Sequence, residues 1–109
     1  MHELAITESI VAAVREKLGD APVRRVCVEV GALSGVVPDA LLFSFEVATE
    51  GTSLAGAELD IVRQSGRARC RDCGARFDTD DLLALCACGS ADVEVLGGRE
   101  LRIREVEVV

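Results

Sequence analysis

The 109-residue sequence lacks several residue types on which common protein functions depend. It has no Trp or Tyr, three Phe and a single His, and it shows no Ser-His-Asp combination or phosphate-binding loop that an enzyme could use. Basic residues are in deficit, with 12 Lys and Arg against 19 Asp and Glu and a formal charge of −7. Since nucleic-acid and anionic-membrane binding need an excess of cationic groups, we predict no nucleic-acid partner and no membrane partner. The missing catalytic combinations predict a protein that is not an enzyme and has no catalytic residues.

Long apolar segments are also missing. No stretch approaches the roughly 18 apolar residues of a membrane span, and the N-terminus lacks the basic and apolar regions of a secretory signal. We therefore expect a cytoplasmic protein. In that reducing compartment, cysteines are free or metal-bound more often than they are paired in disulfides. The odd count of five cysteines agrees with this expectation, because disulfide pairing would leave one over.

Hydrophobic periodicity predicts an α+β fold, with two helices and a small sheet of about three strands. Residues 4–18 carry apolar side chains at helical spacing, which predicts an amphipathic helix. A second helix is predicted from about Pro38 to Thr49, since Pro suits the first helical position. Alternating valines over 26–30 and alternating residues over 57–64 predict two strands, each with one buried face.

The C-terminal tail predicts a further strand with an irregularity. Leu101 and Ile103 alternate with arginines, but the later residues Val106 and Val108 fall on the opposite parity. A shift of one residue moves every side chain to the other face of a sheet, so we expect a bulge or a change of partner near residues 104–105. The strand at 57–64 is the expected partner of this tail.

Residues 67–93 are poor in large apolar side chains and need a stabilising cross-link. They contain the pairs Cys70-Arg-Asp-Cys73 and Cys86-Ala-Cys88, separated by twelve residues. Two close pairs of soft ligands suit a tetrahedral thiolate site, for which zinc is the usual structural ion. The alternatives are another metal, such as iron or an iron–sulfur cluster, and a redox dithiol at Cys70 and Cys73.

Two further features surround this cluster. Four nearby arginines are predicted to offset the negative charge of a four-thiolate zinc site: Arg67, Arg69, Arg71 and Arg76. Cys27 stands alone in the first predicted strand, and we interpret it as a small, half-buried thiol without a functional role.

The N-terminus offers a second set of metal ligands. The Met1 amine, the His2 amide nitrogen and a His2 imidazole nitrogen can close adjacent chelate rings around one ion. With the amide deprotonated, such a nitrogen set suits square-planar nickel(II) or copper(II) better than zinc. Glu3 adds a carboxylate or its own amide nitrogen. A histidine near a frayed terminus usually has no function, so these residues alone leave the site a weak hypothesis.

These features together resemble the HypA/HybF family of hydrogenase nickel-incorporation proteins. The resemblance spans nearly the whole chain and joins two metal motifs in one order. Its segments are Met1-His2-Glu3-Leu4, Val30-Gly31-Ala32-Leu33-Ser34-Gly35-Val36 with Pro38, Phe43-Ser44-Phe45-Glu46, Glu50-Gly51-Thr52 and the cysteine cluster ending in Cys88-Gly89-Ser90.

The resemblance implies a metallochaperone that binds Ni²⁺ at its N-terminus and delivers it to the large subunit of a [NiFe]-hydrogenase, together with a HypB-type GTPase. It assigns nickel to Met1, His2 and Glu3, and structural Zn²⁺ to Cys70, Cys73, Cys86 and Cys88. The implied domains are a nickel-binding domain at 1–66 and 95–109 and an inserted zinc-ribbon-like domain at 67–94. A homo-oligomer is compatible with the resemblance.

The second cysteine pair departs from the pattern of this family, which is commonly Cys-Pro-x-Cys. Counting back from Cys88, the first position of that motif holds Leu85, and Cys86 is displaced by one residue. The turn at Cys86 must therefore be tighter than usual if both cysteines bind the metal. The principal alternative function is a structural zinc-ribbon adaptor without metal transfer, and a thiol oxidoreductase is a third hypothesis.

Overall fold

The structure is a computed structural model that describes residues 2–81 and 83–109. The elements in these residues confirm the α+β class and both predicted helices. In chain order they are α1 (Glu3–Leu18), β1 (Val23–Gly31), α2 (Pro38–Thr49), β2 (Glu58–Gln64), β3 (Gly66–Cys70), β4 (Arg76–Thr79), β5 (Val93–Gly97) and β6 (Leu101–Val108). Within the described residues, no helix is both long and apolar enough to cross a membrane.

Internal contacts divide the chain into two compact units. The first comprises Met1–Val28, Val36–Val62 and Arg102–Val109, and the second comprises Glu29–Gly35 and Arg63–Leu101. In the first unit, α1 and α2 pack against each other. Their buried faces contain Ile10, Val11 and Val14 from α1 and Leu41 and Phe45 from α2, in agreement with the apolar spacing of both helices.

The larger sheet has the strand order β2-β1-β6. The prediction that the tail pairs with the strand at 57–64 is therefore wrong, because β1 lies between them. Val26, Val28 and Val30 of this central strand are almost completely buried. A central position suits β1 because its apolar valines can be covered while the more charged strands β2 and β6 take the edges.

The predicted irregularity in the tail appears as a change in side-chain facing within one strand. Ile103, Val106 and Val108 all line a groove beside α1, although Ile103 and Val106 are three residues apart. Val23 and Val26 of β1 show the same three-residue spacing of buried side chains. The tail therefore keeps β1 as its partner and alters its facing, as the apolar pattern requires.

Backbone hydrogen bonds join β1 and β6 at both ends in antiparallel order. The Gly31 amide donates to the Glu100 carbonyl over 2.8 Å, and the Val109 amide donates to the Pro22 carbonyl over 3.1 Å. Gly31 is required at its position, because a Cβ there would collide with the carbonyl group of Gly98. This close approach gives a physical reason for the glycine in the Val30-Gly31-Ala32 segment.

Arg25 on β1 connects the two edge strands of the larger sheet. Its guanidinium is paired with Asp60 on β2 and lies 2.7 Å from Glu105 and 3.3 Å from Glu107 on β6. Hydrogen bonds to these carboxylates, that to Asp60 first, raise the pKa of Arg25 further above its ordinary value. The planar guanidinium can reach several carboxylates at once, which a lysine could not do with the same geometry.

The second unit contains the smaller antiparallel sheet, with the order β4-β3-β5. Cys70, the last residue of β3, pairs with Val93 of β5, and Ala68 pairs with Phe77 of β4. Ala68 and Cys70 are buried, whereas Arg67 is exposed, so one face of β3 is covered. The sheet thereby fixes the position of the first predicted metal ligand.

We predict that Leu41→Ala lowers the free energy of unfolding by about 2–5 kcal/mol, because the side chain is 0% exposed and its removal leaves a cavity. The neighbouring Leu42 is 41% exposed on the same helix, so Leu42→Ala should cost about 1 kcal/mol or less. Urea denaturation followed by circular dichroism measures both. Equal losses for the two variants would contradict the packing described for α2.

Candidate metal sites

The first cysteine pair lies in a tight turn at the end of β3. The Gly74 amide donates to the Cys70 carbonyl over 2.9 Å, and the Cys70 amide donates to the Ala75 carbonyl over the same distance. Gly74 has a φ of +77°, which a residue with a side chain would adopt only under strain. The backbone of this turn also donates from Cys73 to the Cys70 sulfur over 3.5 Å. The turn thus holds both sulfurs on one side of the chain.

The second pair lies in a turn of the same kind that is one residue shorter. The Gly89 amide donates to the Cys86 carbonyl over 2.9 Å, and the Cys86 amide donates to the Ser90 carbonyl over 3.0 Å. Gly89 has a φ of +91°. In both turns a glycine directly after the second cysteine bonds back to the first. The tighter turn expected for the Cys-x-Cys spacing is therefore present.

The two turns bring four sulfurs together. The Sγ atoms of Cys70, Cys73, Cys86 and Cys88 all lie within 4.8 Å of one another. Cys70 and Cys88 are 3.7 Å apart between sulfurs, and Cys73 and Cys86 are 3.5 Å apart. A tetrahedral zinc ion with Zn–S bonds of about 2.3 Å requires sulfurs about 3.8 Å apart. The four thiols therefore fit a tetrahedral, four-sulfur metal site.

Cys86, and not Leu85, is the residue that joins Cys70, Cys73 and Cys88 in the sulfur cluster. Its side chain is 6% exposed and lies in the sulfur cluster, whereas Leu85 is 63% exposed. The displacement of the cysteine by one residue from the common family spacing is thus absorbed by the shorter turn. The structure brings together all four cysteines that the sequence nominated.

The pKa values of Cys70 and Cys86 are shifted in opposite directions. The backbone N–H of Cys73 outweighs burial and lowers the pKa of Cys70 to about 7. For Cys86, the backbone N–H of Cys88 acts to lower the pKa, but burial and the adjacent thiols together raise it to about 12. Four thiolates this close would repel one another, and a divalent cation at their centre would supply the missing counter-charge.

Side chains outside the cysteines tie the two turns to each other. Ser90 donates a hydrogen bond to Asp72 of the first turn, and its Oγ accepts from the Asp92 amide over 3.1 Å. Arg71 of the first turn pairs with Asp92 over 3.0 Å. The sequence analysis did not identify these contacts. In the sequence, the one feature that pointed to these contacts was Ser90, which belongs to the Cys88-Gly89-Ser90 segment of the family resemblance.

Two of the four arginines near the cluster are paired with carboxylates. Arg71 pairs with Asp92, and Arg69 pairs with Glu94 over 3.2 Å. These two cations therefore have carboxylate partners, and the predicted offset of thiolate charge by the four arginines stays a prediction. Arg67 and Arg76 are exposed residues of the smaller sheet.

Cys27 lies apart from the sulfur cluster. It is buried in β1, and like the other four cysteines it forms no disulfide. Its burial confirms the interpretation of a small packed thiol and goes further than the half-burial expected.

The predicted nickel ligands fall at the start of α1. Met1 lies outside the described residues. His2 is exposed and caps α1, where its carbonyl accepts from the Ile6 amide over 3.1 Å. The Glu3 carboxylate accepts from the Val37 amide over 3.3 Å, at the residue preceding α2. The His2 imidazole is thus accessible, whereas the Glu3 carboxylate already has a partner.

The same hydrogen bond affects the ionisation of Glu3. Burial acts to raise the pKa of this carboxyl, but hydrogen bonds from the backbone N–H groups of Val37 and of Glu3 itself lower it below the ordinary value. Glu3 is therefore an anion near neutral pH, placed at the N-terminal ends of two helices, where helix dipoles favour negative charge.

Comparison with known proteins identifies the family. The HypA family, described as "Hydrogenase/urease nickel incorporation, metallochaperone", matches residues 1–108. The chain is 46% identical over 108 residues to the hydrogenase maturation factor HypA of Trichormus variabilis. That alignment covers 99% of this chain and 96% of the relative. It is 48% identical over 109 residues to that of Geotalea uraniireducens, with 99% of each covered.

A solved structure has the same fold. The solution structure of the Ni metallochaperone HypA from Helicobacter pylori aligns with a TM-score of 0.67 and 29% sequence identity. The alignment covers 100% of this chain and 98% of that one.

We predict that Cys86→Ala weakens metal binding at the four-sulfur site by more than about 100-fold. Loss of a residue that itself contacts the metal should weaken binding more than loss of a residue that only orients a ligand. Elemental analysis of protein purified without a metal-affinity tag measures the bound metal. Cys27→Ala is the matched control and should retain the wild-type metal content. Unchanged metal in Cys86→Ala would exclude Cys86 as a ligand.

Proposed function

Because the chain belongs to the HypA family of nickel-incorporation metallochaperones, we propose that it binds Ni²⁺ at its N-terminus and delivers it to the large subunit of a [NiFe]-hydrogenase. The observation that carries this proposal is the full-length family match combined with an exposed His2 at the start of α1. A structural zinc-ribbon adaptor would not require these N-terminal ligands.

Nickel is assigned to Met1, His2 and Glu3. The Met1 amine, the His2 amide and imidazole, and a donor from Glu3 provide the nitrogen-rich set that Ni²⁺ favours. Since the Glu3 carboxylate is bonded to the Val37 amide, coordination through the Glu3 backbone nitrogen leaves the contact with Val37 in place. The carboxylate then serves to hold the start of α1 beside Val37.

The cysteine cluster is assigned to a structural Zn²⁺ ion. Cys70, Cys73, Cys86 and Cys88 would hold it through four thiolates, and their sulfur spacing suits the Zn–S bond length. A closed four-sulfur shell has no open position, so the bound ion supplies a cross-link between the two turns. We assign the zinc-binding domain to 67–94 and the nickel-binding domain to 1–66 and 95–109.

Delivery requires that nickel can be released. An exposed terminal site leaves one side open, so that ligands of an acceptor can replace those of the chaperone one at a time. We propose a HypB-type GTPase as the partner in this step and the hydrogenase large subunit as acceptor, with no catalytic residue in this chain. The five unpaired cysteines favour the reducing cytoplasm as the compartment.

We predict that nickel binding is lost when one residue is added before Met1, because the added residue removes the free amine from its chelating position. Calorimetric titration of zinc-loaded protein with the native Met1 terminus should show one tight site. The extended variant and His2→Ala should each bind at least about 100-fold more weakly.

The control for this titration is Cys27→Ala, which leaves both proposed sites intact and should bind nickel like the wild type. Equal binding by the native and extended chains would place nickel elsewhere. No binding by either would favour the adaptor.

Transfer itself provides a further prediction. Nickel-loaded protein incubated with the HypB-type GTPase, GTP and the nickel-free large subunit should load that subunit, whereas His2→Ala should not. The nickel content of the re-isolated subunit is measured, with the same total nickel held by a small chelator as control. Equal loading from the chelator and from the wild-type protein would contradict a delivery role.

A further inference from the structure

The smaller sheet has one face that carries a group of charged side chains. In its antiparallel register, Arg67 of β3 lies opposite Asp78 of β4, and Arg69 lies opposite Arg76. Directly facing residues share one side of a sheet, and so do alternate residues of one strand. These four side chains therefore lie on the side away from Ala68, which is 1% exposed.

A pocket of about 290 Å³ lies on this charged face. It is lined by Arg67, Ala68, Arg76, Phe77, Asp78 and Leu96. The pairing of β3 with β5 shifts between Arg67 and Ala68, which leaves Leu96 as an extra residue at that step. A bulge of this kind re-aims a side chain, and Leu96 is 42% exposed. The pocket thus combines two guanidinium groups, one carboxylate and one exposed apolar side chain.

The two arginines of the pocket have no side-chain partner in the part of the chain that the structure describes. Neither forms a salt bridge or a side-chain hydrogen bond there. By contrast, Arg69 is paired with Glu94 over 3.2 Å, and Arg71 is paired with Asp92 over 3.0 Å. The donors of both pocket guanidiniums are therefore available to a ligand.

The strand register also brings like charges together on this face. Arg76 lies directly opposite Arg69, and Arg67 is its diagonal neighbour. Like charges at facing positions destabilise an antiparallel pair, and diagonal neighbours are within reach of long side chains. Glu94 compensates the charge of Arg69. An anion bound between Arg67 and Arg76 would relieve the repulsion that is left.

The chemistry of the pocket fits an acidic peptide. A planar guanidinium can hold a carboxylate through two parallel hydrogen bonds, and the pocket has two such groups. Leu96 adds an apolar contact, while Asp78 reduces the positive charge. A nucleic acid would need a larger excess of cations, and the chain has a formal charge of −7. Two acidic side chains next to an apolar one match the two arginines and Leu96.

We propose that this pocket is a docking site for an acidic segment of a partner protein. Two carboxylates of the segment bind Arg67 and Arg76, and a neighbouring apolar side chain packs on Leu96. Cys70 alternates with Arg69 along β3 and therefore lies on the other face of the sheet. The docked segment needs none of the residues assigned to zinc or nickel, so docking and metal binding can occur together.

Fluorescence anisotropy of a labelled peptide tests this docking site. The probe is a blocked peptide of repeating glutamate-glutamate-leucine triplets, added to zinc-loaded protein without nickel. Saturable binding is expected, and the same peptide with glutamine in place of glutamate should bind at least about tenfold more weakly. Arg67→Glu and Arg76→Glu should each weaken binding at least about tenfold, because each removes a charged hydrogen-bonding partner and adds a repulsive carboxylate.

Matched controls change the same charge outside the pocket. Lys17→Glu on α1 and Arg63→Glu on β2 replace exposed cations and should leave the affinity within about twofold of the wild type. Circular dichroism and zinc content establish that each variant is folded and retains its metal.

A second pair of variants tests the site in the opposite direction. Asp78→Asn removes the carboxylate that competes for the pocket arginines, so it should tighten peptide binding. Asp80→Asn removes an equal charge from an exposed residue outside the pocket and should have a smaller effect. This comparison decides the proposal even if an arginine variant fails to fold.

Four results would overturn the proposal. Absence of saturable binding by the wild type would exclude the site. Equal weakening by Lys17→Glu and Arg76→Glu would show a general attraction of charge without a defined pocket. Binding that is unaffected by both pocket arginines would place the peptide on another surface. A polyuridine RNA that binds more tightly than the peptide, and loses its binding in Arg67→Glu and Arg76→Glu, would make the ligand a nucleic acid.

Discussion

The close approach of four cysteine sulfurs, whose thiolates would repel one another without a cation between them, is the constraint around which the two cysteine turns of the second unit are built. The strands of its sheet contain only five, four and five residues, too few to stabilise a sheet through a large apolar core. The sulfurs of Cys70, Cys73, Cys86 and Cys88 instead converge to within 4.8 Å of one another, with Cys70 and Cys86 buried. Gly74 and Gly89 shape the turns, and the Ser90–Asp72 hydrogen bond joins them, so the local sequence is organised around this cluster.

The cysteine cluster and the proposed N-terminal nickel ligands differ in burial and in how completely they could surround an ion. The cysteine cluster combines buried and exposed thiols in a closed shell, which suits an ion that is retained. His2 is exposed at the beginning of a helix, with a carbonyl that serves the helix and an imidazole that remains accessible. A ligand set with an open side suits an ion that must be passed on. The proposed zinc and nickel sites thus lie in separate parts of the sequence.

The larger sheet combines a buried central strand with two charged edges. The valines of β1 form the apolar face, while Arg25 gathers carboxylates from β2 and β6 on the charged side. The facing change in β6 allows its apolar residues to line the groove beside α1 despite their uneven spacing.

The sequence by itself determined both helices, the alternating strands and the cysteine pairs, because each depends on spacing within a short segment. The parity of Ile103 and Val106 even predicted an irregularity in the tail. Only the tertiary structure decided that β1 separates β2 from β6, that Arg25 joins the edges and that Cys86 reaches the sulfur cluster. Local periodicity fixes which face a side chain occupies, but strand order and the convergence of distant turns depend on contacts between residues far apart in sequence, and no local pattern encodes them.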